Sequence, residues 1–291
     1  MITVVLDEMI YTHKVINFSG GEVGVKFDEV DDLIHNMSND FFIKADLKSA
    51  SDLIELIMVT DAIRRLRGHQ SPDITLEMPY VPYARQDRVC APGEAFGIKV
   101  LCDIINAQNY KSVHIWDPHS DVTTALLNNV TVMEQYMLFD LYYNPNFQED
   151  TPLPGADNTV LVSPDAGANK KTFKFAQELG IDKVVRADKI RDVSNGKILE
   201  TIVYSGHIGD KNFLIIDDIC DGGRTFIELA KVLRPRTSGK IYLYVTHGIF
   251  SQGLEPFRGL IDGIYCPNIM NDKIDKNDEL LISYISDNFG V

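Results

Sequence analysis

Asp217 and Asp218 stand side by side after four apolar residues, Phe213 to Ile216, and just ahead of Asp221, Gly222, Gly223, Arg224 and Thr225. Adjacent carboxylates accept hydrogen bonds from sugar hydroxyls or hold a hydrated cation. Glycines let backbone amides close around a phosphate, and the N-terminus of a following helix favours its charge. Thr225 and Glu228 have capping-box spacing, which predicts a helix beginning at that threonine. The G-x-x-x-x-G-K pattern of a Walker loop is missing. A calcium hand fits Asp217, Asp221, Gly222 and Glu228, but Ile219 falls on a ligand position and the flank reads as strand. The plainer alternative is an acidic solvated turn, for which two acids ending an apolar strand are an odd choice.

Four other segments carry groups able to act on such a ligand. In Pro79 to Arg88, Arg85 can pair with phosphate oxygens in two-pronged fashion and Gln86 can read a base edge; the alternative for Arg85 and Arg88 is solvated surface charge. His119, in Asp117-Pro118-His119, precedes a helix start and on its own reads as a capping or core histidine. Asp165, in Ser163-Pro164-Asp165, is a metal ligand or a simple acid at a helix start. Lys189 and Arg191 lie in a basic run, Arg186 to Arg191, followed by a polar, glycine-containing stretch, Asp192 to Lys197, as in a lid over a site; the alternative is a basic turn.

Strands must deliver these groups. Ile74 to Met78, Val113 to Trp116, Val160 to Val162, Phe213 to Ile216 and Ile241 to Val245 read as short strands. Amphipathic segments alternate with them: one capped at Asp52 and closed by Arg64, Arg65, Arg67 and Gly68, one over Glu94 to Ala107, one ending near Gly180, and one over Phe226 to Leu233. Alternation of this kind implies parallel sheets covered on both faces. Ligands of such sheets bind beyond the carboxyl ends of strands, where Asp117, Asp165, Asp217 and Asp218 each follow an apolar run. The polar stretch Asn144 to Asn158 holds Pro145, Pro152, Pro154 and Gly155 and breaks both periodicities, so it separates a domain over 1–144 from one over 145–291. Similar strand-loop-helix units on either side suggest a duplicated architecture without a residue-level repeat.

Of the 291 residues 45% are hydrophobic, enough for real cores, and the formal net charge is −14. That charge argues against a phosphate-neutralising nucleic-acid surface, and a small anionic substrate needs cations or local basic loops to offset it. Cys90, Cys102, Cys220 and Cys266 are scattered, which suggests neither a zinc site nor a disulfide framework but reduced thiols in a cytoplasmic protein. The N-terminal residues lack a basic segment and reach Asp7 early, so no signal peptide is expected, and no apolar run approaches the ~18 residues of a membrane span.

The segment from Phe213 to Thr225 resembles the phosphoribosyl-diphosphate loop of type I phosphoribosyltransferases: four apolar residues, two acids and a small-residue loop ending in threonine. Pro79 to Arg88, Asp117 to His119, Ser163 to Ala168, Asn17 to Glu22 and Thr246 to Phe250 further resemble, in family order, motifs of the ribose-phosphate diphosphokinases. The resemblance implies two type I phosphoribosyltransferase-like, doubly wound α/β domains, each with a mainly parallel sheet, and a C-terminal tail packing back on the first. It implies transfer of a diphosphoryl group from ATP to ribose 5-phosphate with Mg2+, in a homo-oligomer of dimers stacked to a hexamer, with no nucleic acid or membrane partner. The implied roles are Lys189 and Arg191 in catalysis; Phe18, Glu22, Arg85, Gln86 and His119 on ATP, the first two reaching a neighbouring subunit's nucleotide; His119 and Asp165 on the metal; and Asp217, Asp218, Asp221, Gly222, Gly223 and Thr225 on ribose 5-phosphate. Several positions depart from the pattern: Gly20 replaces Asp or Asn, Cys90 replaces Asp, Ile190 interrupts the basic pair, and Gly222 and Arg224 replace Thr and Gly. These keep open a diphosphokinase of different nucleotide or sugar preference, beside a transferase and a silent regulatory relative. Val89 to Gly97 lacks the basic stretch of phosphate- and ADP-regulated members, so control by those ligands is expected to be weak.

Overall fold

The computed structural model describes residues 1–28, 30–67, 71–143, 156–191 and 198–282. The chain divides into two compact units, one ending at Met133 and the other beginning at Glu134.

The first unit contains β1 (Ile2–Leu6), β2 (Met9–Tyr11), β3 (His13–Asn17), β4 (Val23–Phe27), α1 (Val30–His35), β5 (Asp40–Ala45), α2 (Ala50–Arg67), β6 (Asp73–Met78), α3 (Gly97–Asn106), β7 (Ser112–Trp116), α4 (Asp121–Leu126) and β8 (Val130–Met133). Its main sheet runs β2-β1-β5-β6-β7-β8. The four strands from β5 to β8 are parallel, and β1 is antiparallel to both its neighbours. β3 and β4 form a separate antiparallel hairpin. Ile43, Leu76 and Ile115 from the sheet meet Leu56, Val59, Ile63, Ile98 and Leu101 from α2 and α3 in one core. Trp116, the single tryptophan, is buried at the end of β7.

The expected cap of α2 moves by three residues. Ser49 and Asp52 satisfy each other's amides, Ser49 N to Asp52 Oδ2 at 2.7 Å and Asp52 N to Ser49 Oγ at 3.2 Å, so Asp52 is the reciprocal partner in a capping box rather than the cap. Gly68, expected to close this helix, lies outside the described residues. α3 begins at Gly97 rather than Glu94, because the Glu94 carboxylate turns back to accept from the amides of Cys90 (2.8 Å) and Ala91 (3.1 Å).

The second unit contains α5 (Gln135–Tyr143), β9 (Thr159–Ser163), α6 (Asn169–Glu178), β10 (Val184–Arg191), β11 (Ile198–Val203), β12 (Asn212–Cys220), α7 (Arg224–Leu233), β13 (Ile241–Gly248), β14 (Gly263–Tyr265) and β15 (Asn268–Ile269). Its sheet runs β11-β10-β9-β12-β13-β14, with β15 beside β13; β11 is antiparallel to β10 and the other pairings are parallel. All of β9 and β13 is buried, as in strands covered on both faces. One face packs on Phe226, Leu229 and Leu233 of α7. On the other, Phe139 of α5 lies 4.9 Å from the Tyr244 ring and 5.0 Å from that of Phe175, while Tyr143 lies 5.1 Å from Tyr265. This aromatic packing makes α5 part of the second unit, so the division precedes the expected boundary after residue 144. Residues 144–155 and everything after 282, including the tail expected to pack back, lie outside the described residues.

Candidate active site

β9 lies between β10 and β12, so successive strands of the second unit are laid down on opposite sides of it. Such a reversal opens a crevice at the carboxyl ends of the two diverging strands. Asp165 follows β9, and Asp217 and Asp218 belong to β12. The acids do not follow that strand, as the sequence suggested; pairing with β13 continues through Asp217↔Val245 to Cys220↔Gly248. Ladder bonds therefore hold their backbone.

Asp218 is buried, and its amide donates to Asp217 Oδ1 at 3.0 Å. The Asp217 carboxyl is pushed well above the usual carboxylate range, first by burial, then by the charge of Asp218 and more weakly by that of Asp165. Gln135, which nothing in the sequence singled out, donates to the Asp217 carbonyl at 2.6 Å while its own carbonyl accepts from the Tyr244 hydroxyl at 3.1 Å. Asp165 does serve as a helix-starting acid: its Oδ1 accepts from the amides of Gly167 (3.1 Å) and Ala168 (3.2 Å) ahead of α6. That geometry fixes one oxygen of the carboxylate and orients the group.

The glycine loop is held from two sides. Ile249 and Phe250 amides donate to the Cys220 carbonyl at 2.8 and 3.1 Å, and the Ser251 amide donates to that of Asp221 at 3.2 Å. α7 is capped by Gly223, not by Thr225, which sits inside its first turn; Glu228 pairs instead with Lys231 at 2.9 Å. Gly223 has φ +76°, and a β-carbon there would fall 2.3 Å from the Phe257 ring. A side chain is thus barred twice, by backbone conformation and by packing. A β-carbon on Gly222 meets Ser251 and Gln252 at an ordinary 3.7 Å. Ser251 and Gln252 flank the loop and escaped notice because they arrive from a different strand. The cap makes no side-chain hydrogen bond, so the helix start presents backbone amides, as anion sites do.

In the first unit, Pro79 to Arg88 follows β6. Val81 and Ala84 are buried anchors, Tyr83 takes a left-handed φ of 62°, and the Gln86 amide closes on the Tyr83 carbonyl at 2.8 Å. The turn leaves Arg85, Gln86 and Arg88 exposed. Gln86 lies against the bare face of Gly97, where a β-carbon would stand 2.2 Å from its Oε1. After β7, Asp117 is buried with φ +36°, a strained backbone for a residue other than glycine. His119 is exposed and the helix cap is Ser120, whose Oγ accepts from the Val122 amide at 3.1 Å, so His119 is neither core nor cap. Phe18 and Glu22 flank the exposed turn of the β3–β4 hairpin, joined by a 2.9 Å bond from the Phe18 amide to the Glu22 carbonyl. The Glu22 carboxylate occupies the space over Gly20, 2.5 Å from where a β-carbon would stand.

The backbone of Lys189 and Arg191 belongs to β10, not to a loop, paired with Thr201 and Ile198 of β11 with an irregularity between Ile190 and Arg191. The stretch expected to form a lid, 192–197, lies outside the described residues.

Among the described residues no three His, Cys, Asp or Glu side chains converge to hold an ion by themselves. Mg2+ commonly takes one or two carboxylates, completing its shell with water and phosphate oxygens. The charges of Asp218 and Asp165 both act on the Asp217 carboxyl, and carboxylate oxygens gathered in this way fit a hard cation of that kind. No described helix is long and apolar enough to cross a membrane.

An acid-bearing switch point beside a glycine-capped helix, in the second of two α/β units, defines a protein of the phosphoribosyltransferase fold. Residues 1–108 match the N-terminal domain of ribose phosphate pyrophosphokinase, and residues 192–278 match the phosphoribosyl synthetase-associated domain. The ribose-phosphate pyrophosphokinase of Mycoplasma pneumoniae is 31% identical over 265 residues, which cover 88% of this chain and 75% of that protein. That of Chlorobaculum tepidum is 31% identical over 240 residues, 82% and 69% of the two chains. The phosphoribosylpyrophosphate synthetase of Mycobacterium smegmatis shares the fold with a TM-score of 0.70 at 21% identity, over 93% of this chain and 85% of its own. The chain belongs to the ribose-phosphate pyrophosphokinase family.

Proposed function

We propose that the protein transfers the β,γ-diphosphoryl group of ATP to the 1-hydroxyl of ribose 5-phosphate, giving phosphoribosyl diphosphate and AMP. Family membership supports the reaction, and the observation that carries the site is the pair of strand-held acids beside a glycine-capped helix at the sheet's switch point. Amides from Asp221 to Thr225 bind the 5-phosphate, with Gly222 and Gly223 keeping the loop bare. Asp217 and Asp218 accept hydrogen bonds from ribose hydroxyls and so orient the sugar. Arg85 pairs with triphosphate oxygens and Gln86 meets the base. His119 contacts ATP, and Phe18 and Glu22 reach the nucleotide of a neighbouring copy in a homo-oligomer built from dimers, a hexamer when complete. Lys189 and Arg191 stabilise the charge that shifts as the β-phosphorus changes partner, work that needs positioning more than covalent help. Asp165 would hold Mg2+ with the phosphates, and the ion would draw charge from the reacting oxygens. The cytoplasm is the proposed location.

The test is a coupled assay with ribose 5-phosphate, ATP and Mg2+. Equal amounts of AMP and phosphoribosyl diphosphate, formed only with the metal, are expected. Binding of both substrates without product would instead mark a silent relative. A second reading, altered nucleotide preference, is favoured by Gly20, which stands where the family pattern has Asp or Asn and over which the Glu22 carboxylate lies. Replacing ATP by GTP in the assay distinguishes the two. Val89 to Ala95 are exposed and include no lysine or arginine, so ADP is expected to inhibit only by competing with ATP.

A further inference from the structure

The β3–β4 hairpin that carries Phe18 and Glu22 is built unlike the rest of its unit. β4 buries Val23 and Phe27. β3 has no buried apolar residue: Lys14 to Asn17 are exposed, with Val15 41% and Ile16 42% accessible although neighbours on a strand point to opposite faces. Register is strongly specified where one face is buried, a hairpin's turn helps to set it, and a slip by one residue turns every side chain over. Apolar burial thus cannot set the register of β3.

A polar contact at its base can. The His13 Nε2 lies 2.8 Å from Glu55 Oε1 on α2, and the two side chains are only 5% and 16% exposed. The His13 ring packs on Phe27, its cross-strand partner, with centroids 5.8 Å apart. Nδ1 is buried without a hydrogen-bond partner among the described residues, which leaves Nε2 as the ring's described polar tie. A buried polar pair adds little net stability but disfavours every arrangement in which it is unmade, and setting register is its best-attested use.

We propose that His13 and Glu55 form a register pin that fixes β3 against β4 and thereby positions Phe18 and Glu22 at the hairpin turn. They are positioning residues, touching no substrate. The functional half of the inference rests on the nucleotide role proposed above for the turn; the structural half does not.

Glu55→Ala and Glu55→Gln test it, since glutamine keeps an oxygen that accepts from Nε2. Two readouts are needed: amide hydrogen exchange across residues 15–23, and steady-state kinetics with each substrate varied. The alanine variant should exchange about tenfold faster in the hairpin and raise KM for ATP by about tenfold, leaving kcat, the KM for ribose 5-phosphate and exchange in β5 to β8 near wild type. The glutamine variant should restore both. Wild-type exchange in the alanine variant, an equal rise in both KM values, or no rescue by glutamine overturns the pin. A wild-type protein that takes up no ATP overturns the nucleotide reading instead, and the exchange data then judge the pin alone.

Discussion

The two units use parallel strands to different ends. In the first, β5, β6, β7 and β8 advance in one direction across the sheet, and the segments after β6 and β7 are exposed turns carrying Arg85, Gln86 and His119 on strained backbones at Tyr83 and Asp117. In the second, the order reverses at β9, and the groups gathered there are carboxylates held within or just after strands. An exposed basic turn suits a polyanion that brings its own charge to water. A strand-held acid pair beside a bare helix start suits a sugar phosphate, offering acceptors for hydroxyls and amides for the phosphate. The difference teaches that similar parallel strands need not do the same work: among the described strands the order reverses at β9 of the second unit, the arrangement that opens a crevice at strand ends.

That division of labour can be broken from either side. The largest effect is expected at Lys189→Ala, a fall in kcat of about a thousandfold with unchanged far-ultraviolet circular dichroism. An unchanged rate would move the chemistry away from β10. Gly223→Ala should raise the KM for ribose 5-phosphate by about a hundredfold, while Gly222→Ala stays within about threefold of wild type. Equal effects at the two glycines would show that the loop's shape is not what binds. Arg85→Ala should raise the KM for ATP about tenfold and spare that for the sugar, which sharpens the assignment of each substrate to one unit.

Asp217→Asn addresses the cost of the crevice. The folded carboxyl titrates above its unfolded value, so its ionisation opposes folding: as pH rises from the unfolded value towards the folded one, stability is lost. The ligand-free asparagine variant should therefore be about 1 kcal/mol more stable at neutral pH, and its advantage should vanish below about pH 4, while affinity for ribose 5-phosphate falls. Melting curves at several pH values check this. Smallest is Ser49→Ala, expected to cost about 1 kcal/mol through the lost cap of α2 with no change in either KM.

Apolar runs announced β9, β12 and β13, because covered parallel strands are continuously hydrophobic, and the alternation of Ile74, Leu76 and Met78 with polar residues announced β6. The glycine loop was legible as well, since few other structures need acids and glycines in that order. Less visible were strands with mixed faces, such as β3 and β11, and the true caps. Thr225 and Glu228 have the right spacing for a box, yet the helix is capped two residues earlier by Gly223 in a left-handed conformation that glycine alone adopts without cost. Gln135, Ser251 and Gln252 come to the acid strand and the loop from remote elements, and tertiary proximity of that sort leaves no mark on local sequence.

The distribution of aromatic rings gives the first unit its own optical signature. Trp116, buried there, absorbs at longer wavelength than any tyrosine, whereas tyrosines are spread over both units. Tryptophan emission therefore reports on one half of the chain without any label. In a denaturant titration, an emission curve that superimposes on the loss of far-ultraviolet dichroism would mean that the halves unfold as one cooperative body, and displaced midpoints would mean that one survives the other.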